Sequence, residues 1–252
     1  MSVQSKINWL STGLGLQLLK RSLRKRLEGG GAAFMQDIPC KQPRILNRID
    51  FILEECRNQK VLHVGFTDHP FTAERIQNKQ LLHLQLKDIA AALYGIDADE
   101  PSVALYSNVT ADKNVICADI TKAYPDAVVQ FSPQLILLGE VLEHLKNPHE
   151  AAEILYKSFR DGTKLLVTVP NYTALDNIAA ALHQTESVHP HHYWHFSPYT
   201  LQKVFDPSRF DLLQLHFGMY YQAGKKINAV MQANPFYGDC IMAVFSINKK
   251  QA

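Results

Sequence analysis

The order of apolar segments predicts an α/β domain built on a Rossmann-like, doubly wound sheet of seven strands, mostly parallel and finished by an antiparallel hairpin. Three observations carry this. Short, nearly continuous apolar runs recur from Val61 onward, the pattern of strands buried on both faces. Helical spacing separates several of them, and such alternation builds parallel sheets with helices on both sides. The first four runs end at Gly65, Asp97, Asp119 and Gly139-Glu140, and the carboxyl ends of strands are where open α/β sheets bind ligands.

The elements follow in chain order. Ile7 to Leu27 reads as a basic amphipathic helix: Ile7, Leu10, Leu14 and Leu18 share a face, and Lys20, Arg21, Arg24, Lys25 and Arg26 crowd its second half. Gly29-Gly30-Gly31 then forms a hinge. This divides an appendage, 1–40, from the main domain, 41–252. The helix suits a lid with solvated charges, or a weak contact of 7–27 with anionic lipid or an RNA backbone. Val61–Val64 is the first strand, followed by helical spacing over much of Phe71–Ala92. Leu93–Ile96, Val115–Ala118, Leu135–Leu138 and Leu165–Val169 are the next four strands, the last stopped by Pro170. Pro148–Arg160 is a helix, and Ser197 caps another over Pro198–Phe205. Phe210–Phe217 and Cys240–Ile247 close the chain with no obvious helix between them, which predicts the hairpin at the sheet edge. Tyr172–Pro190 and Gln222–Gly238 read as loops.

Composition bounds the rest. The 252 residues are 46% hydrophobic and 20% charged with a net charge of +2, enough for one sizeable core and unlike a disordered chain or a strongly basic nucleic-acid binder. The 4 cysteines, Cys40, Cys56, Cys117 and Cys240, show no C-x-x-C spacing. They suggest neither a zinc knuckle nor a redox pair, and fit a reducing cytoplasm. No apolar run approaches the roughly 20 residues of a membrane span.

The strand-end residues offer specific chemistry. A glycine at 65 lets backbone approach a ligand. A carboxylate at 97 can accept both hydroxyls of a ribose, and one at 119 can accept from an exocyclic amine such as adenine N6. Asp97 follows Gly65 by about 30 residues, one strand-helix-strand unit. Each also suits local structure: Gly65 a tight turn, Asp97 and Asp119 helix N-caps.

These strings resemble the class I S-adenosylmethionine-dependent methyltransferases over roughly Lys60 to Phe217. Val61-Leu62-His63-Val64-Gly65 is similar to the family's first motif, Tyr94-Gly95-Ile96-Asp97 to its ribose-binding strand, and Cys117-Ala118-Asp119-Ile120 to its adenine-side motif. Gly139-Glu140-Val141-Leu142-Glu143-His144-Leu145 is the most specific match. With Val169-Pro170-Asn171 and His192-Tyr193-Trp194-His195-Phe196-Ser197-Pro198, it marks one large branch. The resemblance implies S-adenosylmethionine as cofactor, held by His63, Gly65, Thr67, Asp97, Asp119, Ile120 and Glu140. The first motif departs from the family: His63 replaces an acid, and Thr67 and His69 replace glycines. The loop is therefore expected to take another path, with Thr67, Asp68 or His69 reaching the methionine end.

Methyl transfer from a sulfonium needs mainly alignment, with a base or metal added for a hydroxyl acceptor. The candidate catalytic residues are His192, His144 and Glu140. His192 or Tyr193 is expected to line the acceptor side. Glu140, Glu143 and His144 share an E-x-x-E-H spacing that could converge on a turn. Together with His192 it resembles the divalent-ion site of small-RNA 3′-terminal 2′-O-methyltransferases, which suits Mg²⁺, Mn²⁺ or zinc. The same string resembles many relatives that use no metal, and none is assigned. The expected function is methyl transfer to O or N of a small-molecule or glycan acceptor. The alternatives are an RNA acceptor and a cofactor-free scaffold. Lack of G-x-G-x-x-G argues against a nicotinamide dehydrogenase.

Overall fold

The computed structural model describes residues 42–221 and 224–249, with Gln36 in addition. The helix 7–27, the hinge 29–31 and Cys40 lie outside the described residues. The strands are β1 (Ile45–Asn47), β2 (Lys60–Val64), β3 (Ala92–Asp97), β4 (Val115–Cys117), β5 (Leu135–Gly139), β6 (Lys164–Pro170), β7 (Phe210–Met219) and β8 (Cys240–Ile247). The helices are α1 (Arg48–Cys56), α2 (Thr72–Gln77), α3 (Leu82–Lys87), α4 (Glu100–Thr110), α5 (Asp126–Phe131), α6 (Pro148–Ser158), α7 (Leu175–Leu182), α8 (Pro198–Val204) and α9 (Lys225–Ala233). Turns of 3₁₀ helix span Leu142–His144 and Pro235–Tyr237.

One sheet contains every strand, in the order β1-β7-β8-β6-β5-β2-β3-β4. All pairings are parallel except those of β8, which runs antiparallel to both β6 and β7. The mostly parallel Rossmann-like sheet agrees with the sequence, but among the described residues the count is eight strands rather than seven. The added strand, β1, has three residues and no room to show a period, and it takes its hydrogen bonds from β7. The expected antiparallel hairpin of β7 and β8 is present, and β1 covers its outer side, so that β1 rather than β7 is the edge strand. The link between β7 and β8, expected to be a loop, contains α9, whose only buried residue is Met231. The helical spacing of Phe71–Ala92 resolves into α2 and α3. The expected loop Tyr172–Pro190 contains α7, which buries none of its residues.

The sheet is covered on both faces, and strand parity decides which residues go where. Leu62, Val64, Ile136, Leu138, Leu165 and Val167 pack with Ala151, Ala152 and Leu155 of α6 and with Leu201 of α8. The alternate residues Val61, Leu135, Leu137, Leu166 and Val244 pack with Ile52 and Cys56 of α1 and Leu86 of α3. Apolar residues therefore fill both parities, and the strands read as continuous runs.

Register sets the level at which the chain leaves the sheet. Val64 lies beside both Ile96 and Leu138, so Gly65, Asp97 and Gly139 emerge in one row. Ser197 caps α8 as the sequence predicts: its side chain accepts from the Thr200 N–H at 3.1 Å, and Thr200 Oγ1 accepts from the Ser197 N–H at 2.8 Å. Ser197→Ala is expected to lower stability by about 1 kcal/mol, measurable as an earlier urea midpoint with an unchanged slope.

Candidate active site

Gly65 turns the chain off β2 with φ +71°, and a Cβ there would meet Val141 Cγ2 at 2.7 Å. Two constraints therefore ask for glycine at once, left-handed backbone and close contact with the turn after β5. Beyond it the loop folds on itself. Thr67 gives Asp97 Oδ2 two hydrogen bonds, from its N–H at 3.0 Å and its hydroxyl at 2.8 Å. Asp97 Oδ1 accepts from the Asp99 N–H at 3.0 Å. Asp68 pairs with Arg75, and His69 Nδ1 lies 3.4 Å from Asp99 Oδ2. Asp99 is the N-cap of α4, accepting from the Ser102 N–H at 3.1 Å. Asp97 is thereby free of that task. Its two oxygens offer about four acceptor positions, of which three are taken. A ribose hydroxyl thus finds one open position, and a second when the Thr67 side chain turns. On this count the strand end fits a nucleoside.

Asp119 sits after β4 with a different partner set. Its Oδ1 accepts from the Thr121 N–H at 2.9 Å and hydroxyl at 2.7 Å, and Lys122 Nζ is 3.5 Å from Oδ2. The Thr121 bonds, first the hydroxyl's, hold its carboxyl below the usual carboxylate range. Beside the Lys122 ammonium, Oδ2 keeps a further acceptor position for an outside donor, and the adjacent Ile120 is buried.

Glu140 follows β5 in the left-handed region, φ +57°, a conformation that costs an ordinary residue about 1–2 kcal/mol. Its side chain explains how it is held. Oε1 accepts from the Thr168 hydroxyl at 2.8 Å and lies 3.4 Å from Arg48 Nε, and Oε2 accepts from the Tyr220 hydroxyl at 2.5 Å. Arg48 also donates to Thr168 Oγ1 at 3.1 Å. Burial first, and then Glu140, push the Tyr220 hydroxyl far above its ordinary value, so it stays a donor.

Glu143 is fully buried, with no hydrogen-bond partner for either carboxyl oxygen among the described residues. Burial and the neighbouring Glu140 raise its carboxyl well above the usual range, which keeps it neutral. Its backbone C=O accepts from the Tyr193 N–H at 2.8 Å, which ties the histidine loop to this turn. There His144 and His192 stand edge to face, ring centroids 4.6 Å apart, with His189 beside both. Burial, and then the other imidazoles, push His192 down to about 4. Burial likewise lowers His144. A cavity of about 500 Å³ opens here, lined by His144, Pro190, His191, His192 and Tyr193.

His63 faces inward. Its Nδ1 lies 3.2 Å from His83 Nδ1, and both rings are buried. Burial lowers both, His83 to about 3. The unfolded chain, with imidazoles near 6.5, therefore binds more protons than the folded one between about pH 6.5 and 3. Their stabilising contribution is full above that window and is lost as the pH falls through it. Between pH 6 and 4 the unfolding free energy is expected to drop by about 1.4 kcal/mol per pH unit for His83, and His63 acts in the same direction. Denaturant unfolding of His83→Phe should show a shallower slope.

Several of these residues left little trace in the sequence. Arg48 opens a helix behind the three-residue β1; the nearest signal is its cap, Asn47, whose side chain accepts from the Asp50 N–H at 3.0 Å. Thr168 is a polar residue inside an apolar strand, a usable hint. Tyr220 reaches Glu140 across 80 residues of chain.

The segment from residue 21 to residue 215 matches the sequence profile of a family described as a methyltransferase domain. The chain belongs to this family. With the class I fold described above, it is a methyltransferase, and S-adenosylmethionine is the donor that family uses. No curated protein matches the chain. Among solved structures, one similar chain comes from the complex between the Haloferax volcanii Trm112 methyltransferase activator and a methyltransferase. It is 10% identical, with a TM-score of 0.53, and 81% of this chain and 89% of that one are covered. An S-adenosylmethionine-dependent methyltransferase from Aquifex aeolicus is 14% identical, with a TM-score of 0.50, covering 80% and 90%. At these identities the likeness is one of fold. Among the described residues no helix is long and apolar enough to cross a membrane.

Proposed function

We propose that this methyltransferase acts on O or N of a small molecule, with the nucleoside of the donor along β2, β3 and β4 and the acceptor against the histidine loop. One observation carries the acceptor side. The cavity of about 500 Å³ beside His144 and His192 has the size of a small-molecule site. Its wall is tied to the turn after β5 through Tyr193 and Glu143, next to the row of strand ends.

On this assignment Asp97 takes the ribose hydroxyls, Asp119 Oδ2 the adenine amine, and Ile120 an apolar face of the base. Gly65 keeps the loop low enough for close approach, and Thr67 holds the Asp97 carboxylate in place. His63 supports the first strand from within. S-adenosylmethionine supplies an electrophilic methyl on a good leaving group. Glu140 is a positioning residue: Thr168, Arg48 and Tyr220 occupy its oxygens and fix its direction. His192 and His144 are neutral at pH 7 and accept hydrogen bonds from the acceptor's N–H or O–H. A ring held at about 4 is a weak base, so His192 orients the acceptor rather than deprotonating it, and the proton displaced from the methylated O or N passes to water.

Incubation with methyl-labelled S-adenosylmethionine and a cell extract separated into small-molecule, glycan, RNA and protein fractions tests this. Label is expected in the small-molecule fraction, falling about 100-fold in His192→Ala while donor affinity holds. Label confined to RNA, with retention that weakens steeply as salt rises, would replace this acceptor with a nucleic acid.

A further inference from the structure

We propose that His144, His189 and His192 form a binding site for one divalent cation of the zinc class. Each contributes a nitrogen, and the three lie within 4.8 Å of one another. Backbone contacts bring the rings together. The His192 N–H donates to the His189 carbonyl at 3.0 Å, closing a turn that sets these two rings 5.1 Å apart. The Tyr193 N–H on the Glu143 carbonyl, and Trp194 Nε1 on the Leu145 carbonyl at 2.8 Å, lay that turn against His144.

The donor set selects the ion. His144 Nδ1 is 3.3 Å from the His191 carbonyl. A carbonyl only accepts, so the proton sits on Nδ1 and Nε2 is left to bind, the arrangement common behind metal-bound histidines. Both flanking carboxylates are withheld, Glu140 by Thr168, Tyr220 and Arg48, and Glu143 by complete burial. Three imidazoles without a carboxylate suit zinc, and suit Mg²⁺ and Ca²⁺ poorly. Nitrogens bound to one ion at about 2.0–2.1 Å sit closer together than 4.8 Å, so the rings must draw in. His189 is exposed, so its ring has room to turn toward the other two. Three ligands leave a fourth position open toward the cavity. There the ion, in place of the direct hydrogen bonds to His144 and His192, would bind an acceptor heteroatom and lower the pKa of a hydroxyl; that role, unlike the site itself, rests on the acceptor side proposed above.

The test uses untagged full-length protein stripped with EDTA, titrated calorimetrically with zinc chloride, magnesium chloride and, separately, S-adenosylhomocysteine. One zinc per chain at micromolar affinity or tighter is expected, with no magnesium binding at millimolar concentration. His189→Ala and His192→Ala should each weaken zinc binding by about tenfold or more, and His195→Ala should leave it unchanged. Absent zinc binding, or equal weakening in His195→Ala, overturns the site. If zinc fails while S-adenosylhomocysteine binds, methyl transfer stands without it; the reverse result would leave the metal site standing and remove the donor.

Discussion

Asp97→Ala is expected to weaken S-adenosylhomocysteine binding by 100-fold or more. Two ribose hydroxyls donating to one carboxylate are worth about 1.5–3 kcal/mol each, and every 1.4 kcal/mol is a factor of ten. The same carboxylate holds the loop after β2 through Thr67 and Asp99, so some loss of stability should accompany the loss of affinity. Asp97→Asn separates the two, since it keeps an acceptor for the loop but loses the charge that faces the diol. Calorimetry on both variants, with thermal unfolding alongside, checks this. Unchanged affinity in a folded Asp97→Ala protein would remove the residue from the donor site.

The second large effect is on the fold. Gly65→Ala is expected to cost about 2–5 kcal/mol, the sum of left-handed backbone at about 1–2 kcal/mol and overpacking at about 1–3 kcal/mol. Gly162 supplies the control. Its φ is +78°, but a Cβ there meets nothing within 4 Å. Gly162→Ala should therefore show the backbone cost alone, and the difference between the two variants is the contact with Val141. Urea unfolding of both gives that difference directly. Equal losses would mean that Val141 moves aside freely and that the close approach of the two strand-end loops is not tight.

Residues that face their structural task locally were the legible ones. Val61–Val64 and Leu135–Leu138 are buried on both faces, so their apolar character is continuous and their ends plain. The residues at those ends fall in one row because parallel register is uniform, so the one-unit spacing of Gly65 and Asp97 corresponds to neighbouring strand ends. The sequence left open whether Asp97 caps a helix. Asp99 does so instead, a distinction of two residues that only backbone geometry makes. Asp119 takes local bonds from its own turn, so its two readings share one carboxylate. The partners of Glu140 were invisible for another reason. Arg48, Thr168 and Tyr220 arrive from three separate elements, and contacts spanning 28 to 92 residues leave no periodic mark. The E-x-x-E-H string suggested two carboxylates turned toward one ion. The turn that carries it is 3₁₀ over Leu142–His144, and it points Glu143 into the core instead. His189 joined the cluster because the turn at 189–192 closes on itself.

The most direct test of the donor site is a crystal structure of the protein with S-adenosylhomocysteine. The ribose hydroxyls are expected on Asp97, with the Thr67 hydroxyl turned away from Oδ2 and the adenine amine near Asp119. A nucleoside bound elsewhere, with the Thr67 bond to Asp97 intact, would contradict that placement.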